Sequence, residues 1–216
     1  MKDKKKYVVK VIKVLKESFG DIKCPLKFSN PFELLVAVIL SAQCRDERVN
    51  KITEVLFKQY KSLQDYANAD ISKLENCIKS AGFFRSKAKS IIKSAQMVLR
   101  LYDGKCPQTM EGLIKLPGVA RKTANVVLGH AFCKAEGIAV DTHVIRIAIL
   151  LKLTNRENPV KIERDLMEIV PNQYWIEISL LIQALGRRIC KARNPNHNEC
   201  PLNKICPSAK KAITTQ

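Results

Sequence analysis

Apolar residues recur at intervals of three and four along almost the whole chain, a period that admits helices and little else. Val8, Val11, Ile12, Leu15 and Phe19 trace one face of a first helix, which Gly20 stops. Asn30 and Pro31 supply an N-cap and a first-turn proline ahead of Phe32 to Leu40. That stretch is apolar on every side and therefore predicts a buried central helix. Asp46 is placed to cap the next helix, through about Tyr60. Further helices are predicted at about 71 to 80, 86 to 103, 109 to 115, 121 to 132, 142 to 152, 158 to 169 and 173 to 190. No stretch alternates apolar and polar residues between hairpin turns, so the expected fold class is all-α. No repeat, low-complexity tract or Gly/Ser linker interrupts it.

Thirty-eight Lys and Arg against twenty Asp and Glu give a net charge of +18. A surplus of this size suits a polyanion, because each phosphate neutralised releases a counterion. A lysine-rich genome would give the same count without any such partner. The longest apolar run, Leu34 to Leu40, is far short of the roughly 18 residues of a membrane span, so no membrane association is expected. The basic start is followed by a Val/Ile run broken by Lys10, Lys13 and Lys16, unlike an export signal. The expected location is the cytoplasm.

The segment Leu116-Pro117-Gly118-Val119-Ala120-Arg121-Lys122-Thr123-Ala124 lies between two helical patterns. A tight turn that opens a helix presents backbone N–H groups suited to phosphate. Gly118 allows close backbone approach, and Arg121 and Lys122 add charge. On these residues alone, Lys122 reads as well as a phosphate-binding lysine, and Asp141 as an ordinary N-cap for a helix from Thr142.

The run Leu116 to Leu128, LPGVARKTANVVL, resembles the helix-hairpin-helix signature of the endonuclease III family. Similarity continues upstream through PFELLVAVILSAQ (31 to 43) and Val49-Asn50-Lys51, and downstream through IAVDTHV (138 to 144). It extends in order over residues 7 to 206. The resemblance implies a two-lobed glycosylase fold: a six-helix lobe at 24–134 that holds the hairpin, and a second helical lobe of 1–23 plus 135–216. It also implies an enzyme that removes oxidised pyrimidines from duplex DNA and then cleaves the abasic strand. Lys122 matches the position of the amine nucleophile and Asp141 that of the catalytic carboxylate. An amine leaves a Schiff base on the sugar, whose acidified neighbouring proton permits β-elimination of the 3′ phosphate. The carboxylate steadies a cationic sugar.

A base inside a duplex reaches a pocket only by flipping, which leaves a hole in the stack. By resemblance Gln43 occupies the hole-filling position and Phe83 the wedge, where an aromatic ring can stack on bases. Without the resemblance, Gln43 reads as a surface amide and Phe83 as core filling. The hairpin contacts to DNA are expected from Leu116, Gly118, Ala120 and Arg121, and further contacts from Lys191 and Arg193 near the C-terminus. Arg45 departs from the small polar residue usual beside the Gln43 loop.

Five of the eight cysteines are scattered, but Cys190, Cys200 and Cys206 are grouped. The family pattern, Cys-x6-Cys-x2-Cys-x5-Cys around a 4Fe-4S cluster, is kept in spacing with His197 as its second member. Imidazole ligates cluster iron in Rieske centres, so a cluster on three cysteines and His197 is the expectation. A Cys3His zinc site and a loop without metal are the alternatives. The alternatives to the whole reading are a non-catalytic DNA-binding module and a glycosylase without lyase activity. The expected partner is double-stranded DNA carrying damaged pyrimidines or abasic sites, bound by a monomer in the nucleoid.

Overall fold

The computed structural model describes residues 2–209, and among these there is no β-strand. The helices in chain order are α1 (Lys2–Phe19), α2 (Pro31–Ser41), α3 (Asp46–Gln59), α4 (Leu63–Ala67), α5 (Ile71–Ile78), α6 (Phe84–Leu101), α7 (Met110–Ile114), α8 (Arg121–Phe132), α9 (Thr142–Leu150), α10 (Pro159–Ile169) and α11 (Trp175–Arg188). Short 3-10 turns occupy Lys79–Ala81 and Asn172–Tyr174. The all-α expectation holds. No helix among the described residues is long and apolar enough to cross a membrane.

The chain divides into two compact units. One is Cys24–Glu136; the other joins the stretch ending at Lys23 to the stretch from Gly137 on. In the first, α2 is the central element. Asn30 Oδ1 accepts from the Glu33 N–H at 2.9 Å, Pro31 opens the helix, and Leu34, Leu35, Val36, Ala37 and Leu40 have no exposed surface. Helices α3, α6 and α8 pack around it. Each leucine so enclosed contributes roughly 1.5–3 kcal/mol relative to an exposed one. In the second unit Val8, Val11, Ile12 and Leu15 of α1 pack in one core with Val144, Ile147, Leu181, Ile182 and Leu185 of α9 and α11. The Lys16 ammonium meets Glu177 of α11 at 2.9 Å, a partly exposed pair that adds little to this packing.

Several boundaries differ from the sequence reading for local reasons. Asp46 is not the cap of α3: Arg45 holds that position without a side-chain cap, and Asp46 sits inside the first turn, where its charge favours the positive helix end. Helix α4 has no counterpart in the periodicity because five residues are too few to show one. It is started by a capping box in which Ser62 and Asp65 bond each other's backbone. Helix α6 begins at Phe84, two residues earlier than expected, because Gly82 (φ 71°) and Phe83 (φ 46°) complete the turn sooner. Helix α9 stops at Leu150, just before Lys152 at φ 53°.

His130, on α8, is lowered from its ordinary value by burial. The unfolded chain takes up this proton near pH 6.5, the folded chain only further down. The contribution to stability is full above 6.5 and is lost as pH falls from there towards the folded value. The urea midpoint is therefore expected to drop between pH 7 and pH 5, and to drop less in His130→Phe.

Candidate functional site

In unit Cys24–Glu136 the segment between α7 and α8 forms a close turn. Leu116 is buried, and its N–H donates to the Leu113 carbonyl; the Val119 N–H donates back to the Leu116 carbonyl at 3.2 Å. Gly118 stands at φ 78°, a region open to glycine and costly for other residues. Ser94 Oγ on α6 donates to the Pro117 carbonyl at 3.1 Å and pins the turn from behind. A Cβ on Gly118 would come within 2.9 Å of Ser90 Oγ and 3.0 Å of Ser90 Cβ. Gly118→Ala is therefore expected to lower stability by about 1–2 kcal/mol, measured by urea denaturation.

Helix α8 starts on Ala120, in extended conformation and with no side-chain cap. The positive end of the helix dipole therefore lies at this turn, a geometry that receives anions. Gly118 and Ala120 are exposed, while Arg121 and Lys122 are half-buried in that first turn. Lys122 lies near Cys24: burial raises the Cys24 thiol, and the Lys122 charge opposes that rise.

Gln43 and Phe83, singled out for their place in the sequence pattern, share an unusual backbone. Both are non-glycine residues in the left-handed region, at φ 54° and 46°. Such residues cost of order 1–3 kcal/mol and cluster where a side chain must be aimed. Gln43 is exposed in the turn between α2 and α3. Phe83 is 67% exposed, so it is not core filling.

In the other unit Asp141 is the N-cap of α9. Its Oδ1 accepts from the Val144 N–H at 2.9 Å. His143 lies one residue into the helix and is lowered by burial, with Arg187 and Arg146 in the same direction and Asp141 opposing. His143, Arg146 and Arg187, with Thr142, Gly186 and Lys191, line a basic concavity. Arg146 escaped the sequence reading. Its guanidinium donates to the Cys190 carbonyl, lies 3.7 Å from Cys190 Sγ and reaches His143 Nδ1 at 3.5 Å. The available signal was one arginine within the apolar run that follows Thr142 and His143 in THVIRIAIL.

Cys190, His197, Cys200 and Cys206 line one cavity of about 280 Å³, closed behind by Ile147, Leu185 and Leu202. Main-chain turns fold the loop: the Cys200 N–H donates to the His197 carbonyl at 3.2 Å and the Cys206 N–H to the Leu202 carbonyl at 2.7 Å. Asn203 Nδ2 donates to the His197 carbonyl at 3.3 Å. Burial raises the Cys190 and Cys200 thiols, and Arg146 opposes the rise at Cys190. Lys191 and Arg193 are exposed on this loop. Among the described residues no three His, Cys, Asp or Glu are grouped as one metal ion would require.

Residues 36–172 match the family model of the HhH-GPD superfamily base excision DNA repair proteins, so the hairpin and the helices around it are those of that class. Residues 190–206, from Cys190 to Cys206, match the iron-sulfur binding domain of endonuclease III. Over 209 residues the chain is 47% identical to the endonuclease III of Synechocystis sp., covering 97% of this chain and 95% of that one. It is 43% identical over 196 residues to the endonuclease III of Bacillus subtilis, covering 90% and 89%. Its fold matches an endonuclease III solved as a trapped covalent intermediate with DNA, at TM-score 0.91 and 40% identity, covering 97% and 98% of the two chains. The chain belongs to the endonuclease III family of base-excision repair enzymes.

Proposed function

We propose that this glycosylase and lyase removes oxidised pyrimidines from duplex DNA and cleaves the resulting abasic strand through a Schiff base on Lys122. The observation that carries the reading is the placement of Lys122 in the uncapped first turn of α8, directly after the glycine turn. Gly118, Ala120 and Arg121 grip a phosphate through backbone N–H groups and charge, without reading sequence; Leu116, expected among these contacts, is buried with its N–H given to the Leu113 carbonyl and anchors the turn from inside instead. The neutral Lys122 amine bonds to C1′ of the flipped nucleotide, and the base departs with the pair of the broken glycosidic bond and takes up a proton. The sugar ring opens to an iminium. Loss of a C2′ proton then drives cleavage of the C3′–O bond, and the 3′ phosphate leaves. Asp141 stabilises the positive sugar as the base departs and assists the proton movements. Gln43 and Phe83 fill the space left in the stack.

The domain organisation that goes with this reading is one lobe of 24–134 with the hairpin, and a second of 1–23 plus 135–216 with the cysteine loop; the structure divides two residues later, between Glu136 and Gly137. One chain engages one flipped nucleotide, which calls for no symmetry, so the working unit is a monomer. Its place is with the nucleoid, on double-stranded DNA with damaged pyrimidines or abasic sites.

The loop of residues 190–206 belongs to an iron-sulfur binding domain. We assign it a 4Fe-4S cluster held by Cys190, His197, Cys200 and Cys206. A zinc ion needs its donors within about 2.0–2.3 Å of one atom, whereas a cluster sets its ligands apart around a larger body, which fits four residues spread over one cavity. When bound, the cluster braces the loop that carries Lys191 and Arg193 and does no redox chemistry in the reaction. Protein purified without air is expected to contain iron and acid-labile sulfide in equal amounts and no zinc. His197→Cys is expected to keep both and to lower the reduction potential, because imidazole ligation raises it; zinc without sulfide would refute the assignment.

Borohydride reduction in the presence of a duplex with one abasic site tests the reaction. A covalent protein–DNA adduct is expected. Binding to the duplex with no adduct would leave a non-lyase protein in place of the one proposed.

A further inference from the structure

One cation in unit Cys24–Glu136 has no part in the chemistry above and is almost wholly enclosed. Lys87, on the first turns of α6, is 6% exposed. Its ammonium donates to the Leu40 carbonyl at 2.8 Å, the Ala42 carbonyl at 2.7 Å and the Ala81 carbonyl at 2.9 Å. An ammonium has three donors, and here all three are used on main-chain oxygens. The acceptors come from the ends of two separate helical segments. Leu40 and Ala42 close α2, whose last turn has no basic residue of its own, so the ammonium supplies the positive charge that the helix end favours. Ala81 closes the 3-10 turn ahead of Gly82.

The position of these carbonyls matters more than their number. Ala42 immediately precedes Gln43, and Ala81 stands two residues before Phe83. Each of those two side chains is launched from a left-handed backbone that costs energy and persists only where its surroundings fix it. The Lys87 N–H also donates to the Phe83 carbonyl at 3.1 Å, closing the same turn from the helix side. A surface lysine would have spared the protein the desolvation of an ammonium, and a purely packing role would be served as well by an apolar side chain.

We propose that Lys87 is a positioning residue for strand opening: by joining the carbonyl ahead of Gln43 to the carbonyl ahead of the Gly82-Phe83 turn, it sets the separation and aim of the two side chains that replace a flipped nucleotide. This rests on the hole-filling reading of Gln43 and Phe83 given above. Lys87 touches neither DNA nor the reacting atoms.

The test compares substrates that do and do not require the stack to be opened. Lys87→Met is expected to slow single-turnover excision from a duplex by about tenfold or more, the scale set by misplacing a group by an ångström. It is also expected to reduce the fluorescence rise of 2-aminopurine placed beside the lesion. Borohydride trapping on a single-stranded abasic oligonucleotide, which has no stack to open, is expected to stay within about twofold. In a Gln43→Ala, Phe83→Ala background, Lys87→Met is expected to add less than about twofold, because the groups it positions are gone. Equal slowing on both substrates, or a full further loss in the double-variant background, would overturn the proposal and leave Lys87 a holder of the fold. If the Gln43→Ala, Phe83→Ala protein opens duplex normally, the hole-filling reading fails first and the Lys87 proposal falls with it. Should Lys87→Met lose its helical circular dichroism, Lys87→Arg carries the same comparison: its planar fork keeps the charge but cannot direct three donors to these three oxygens.

Discussion

Lys122→Gln is expected to abolish the borohydride-trapped adduct and to reduce single-turnover strand cleavage on the order of a thousandfold or more. Glutamine offers an amide where the reaction needs an amine, so no iminium forms and the C2′ proton keeps its ordinary acidity. The substitution is mild in every other respect. Lys122 sits half-buried in the first turn of α8, and lysine and glutamine have nearly equal helix propensity, so stability should stay within about 0.5 kcal/mol. Gly118, Ala120 and Arg121 remain, and binding to an abasic duplex is expected to fall by no more than about tenfold. Gel-shift titration and the trapping assay on one preparation separate these effects. An adduct that survives in Lys122→Gln would move the nucleophile to another amine.

Asp141→Asn is expected to cost about a hundred- to a thousandfold in single-turnover base excision while leaving the fold intact. The residue has two functions that substitution can pull apart. Its Oδ1 caps α9 through the Val144 N–H at 2.9 Å, and asparagine caps a helix as well as aspartate does. What asparagine lacks is the negative charge that steadies the sugar as the base leaves. Asp141→Ala removes both and is expected to lose about 1 kcal/mol of stability besides. Thermal unfolding of the pair, set beside their excision rates, gives the answer. If Asp141→Asn excises bases at the rate of the parent protein, Asp141 is a cap and nothing more.

The parts of the fold that were legible in the sequence are those with a local cause. Asn30-Pro31 ahead of a stretch with eight apolar residues in nine announces both the start and the burial of α2, and Gly118 between two helical patterns announces the hairpin turn. Boundaries set by other elements were not legible. The start of α6 depends on Phe83 accepting a left-handed backbone, which nothing in its own side chain favours. Asp46 has the chemistry of a cap, yet Arg45 takes the position in the short turn that follows Gln43. The site shows the same division. The family resemblance singled out Gln43, Lys122 and Asp141, whose residue types alone read as a surface amide, a phosphate-binding lysine and a helix cap, while Arg146 and Lys87 act through carbonyls far away in sequence. A lysine bonded to Leu40, Ala42 and Ala81, 47 and 45 and 6 residues distant, is indistinguishable in the sequence from the many that coat the surface.

The placement of α1 bears on how the protein is made. Its apolar stripe, Val8, Val11, Ile12 and Leu15, packs with residues of α9 and α11, the latter beginning only at Trp175. At a ribosomal pace of roughly 5–20 residues per second, those partners emerge on the order of ten seconds after α1. Throughout that interval the stripe is a sticky surface waiting for a mate. The lysines on its opposite side, Lys6, Lys10 and Lys13, all exposed in the finished molecule, are well suited to keep the nascent segment from clumping.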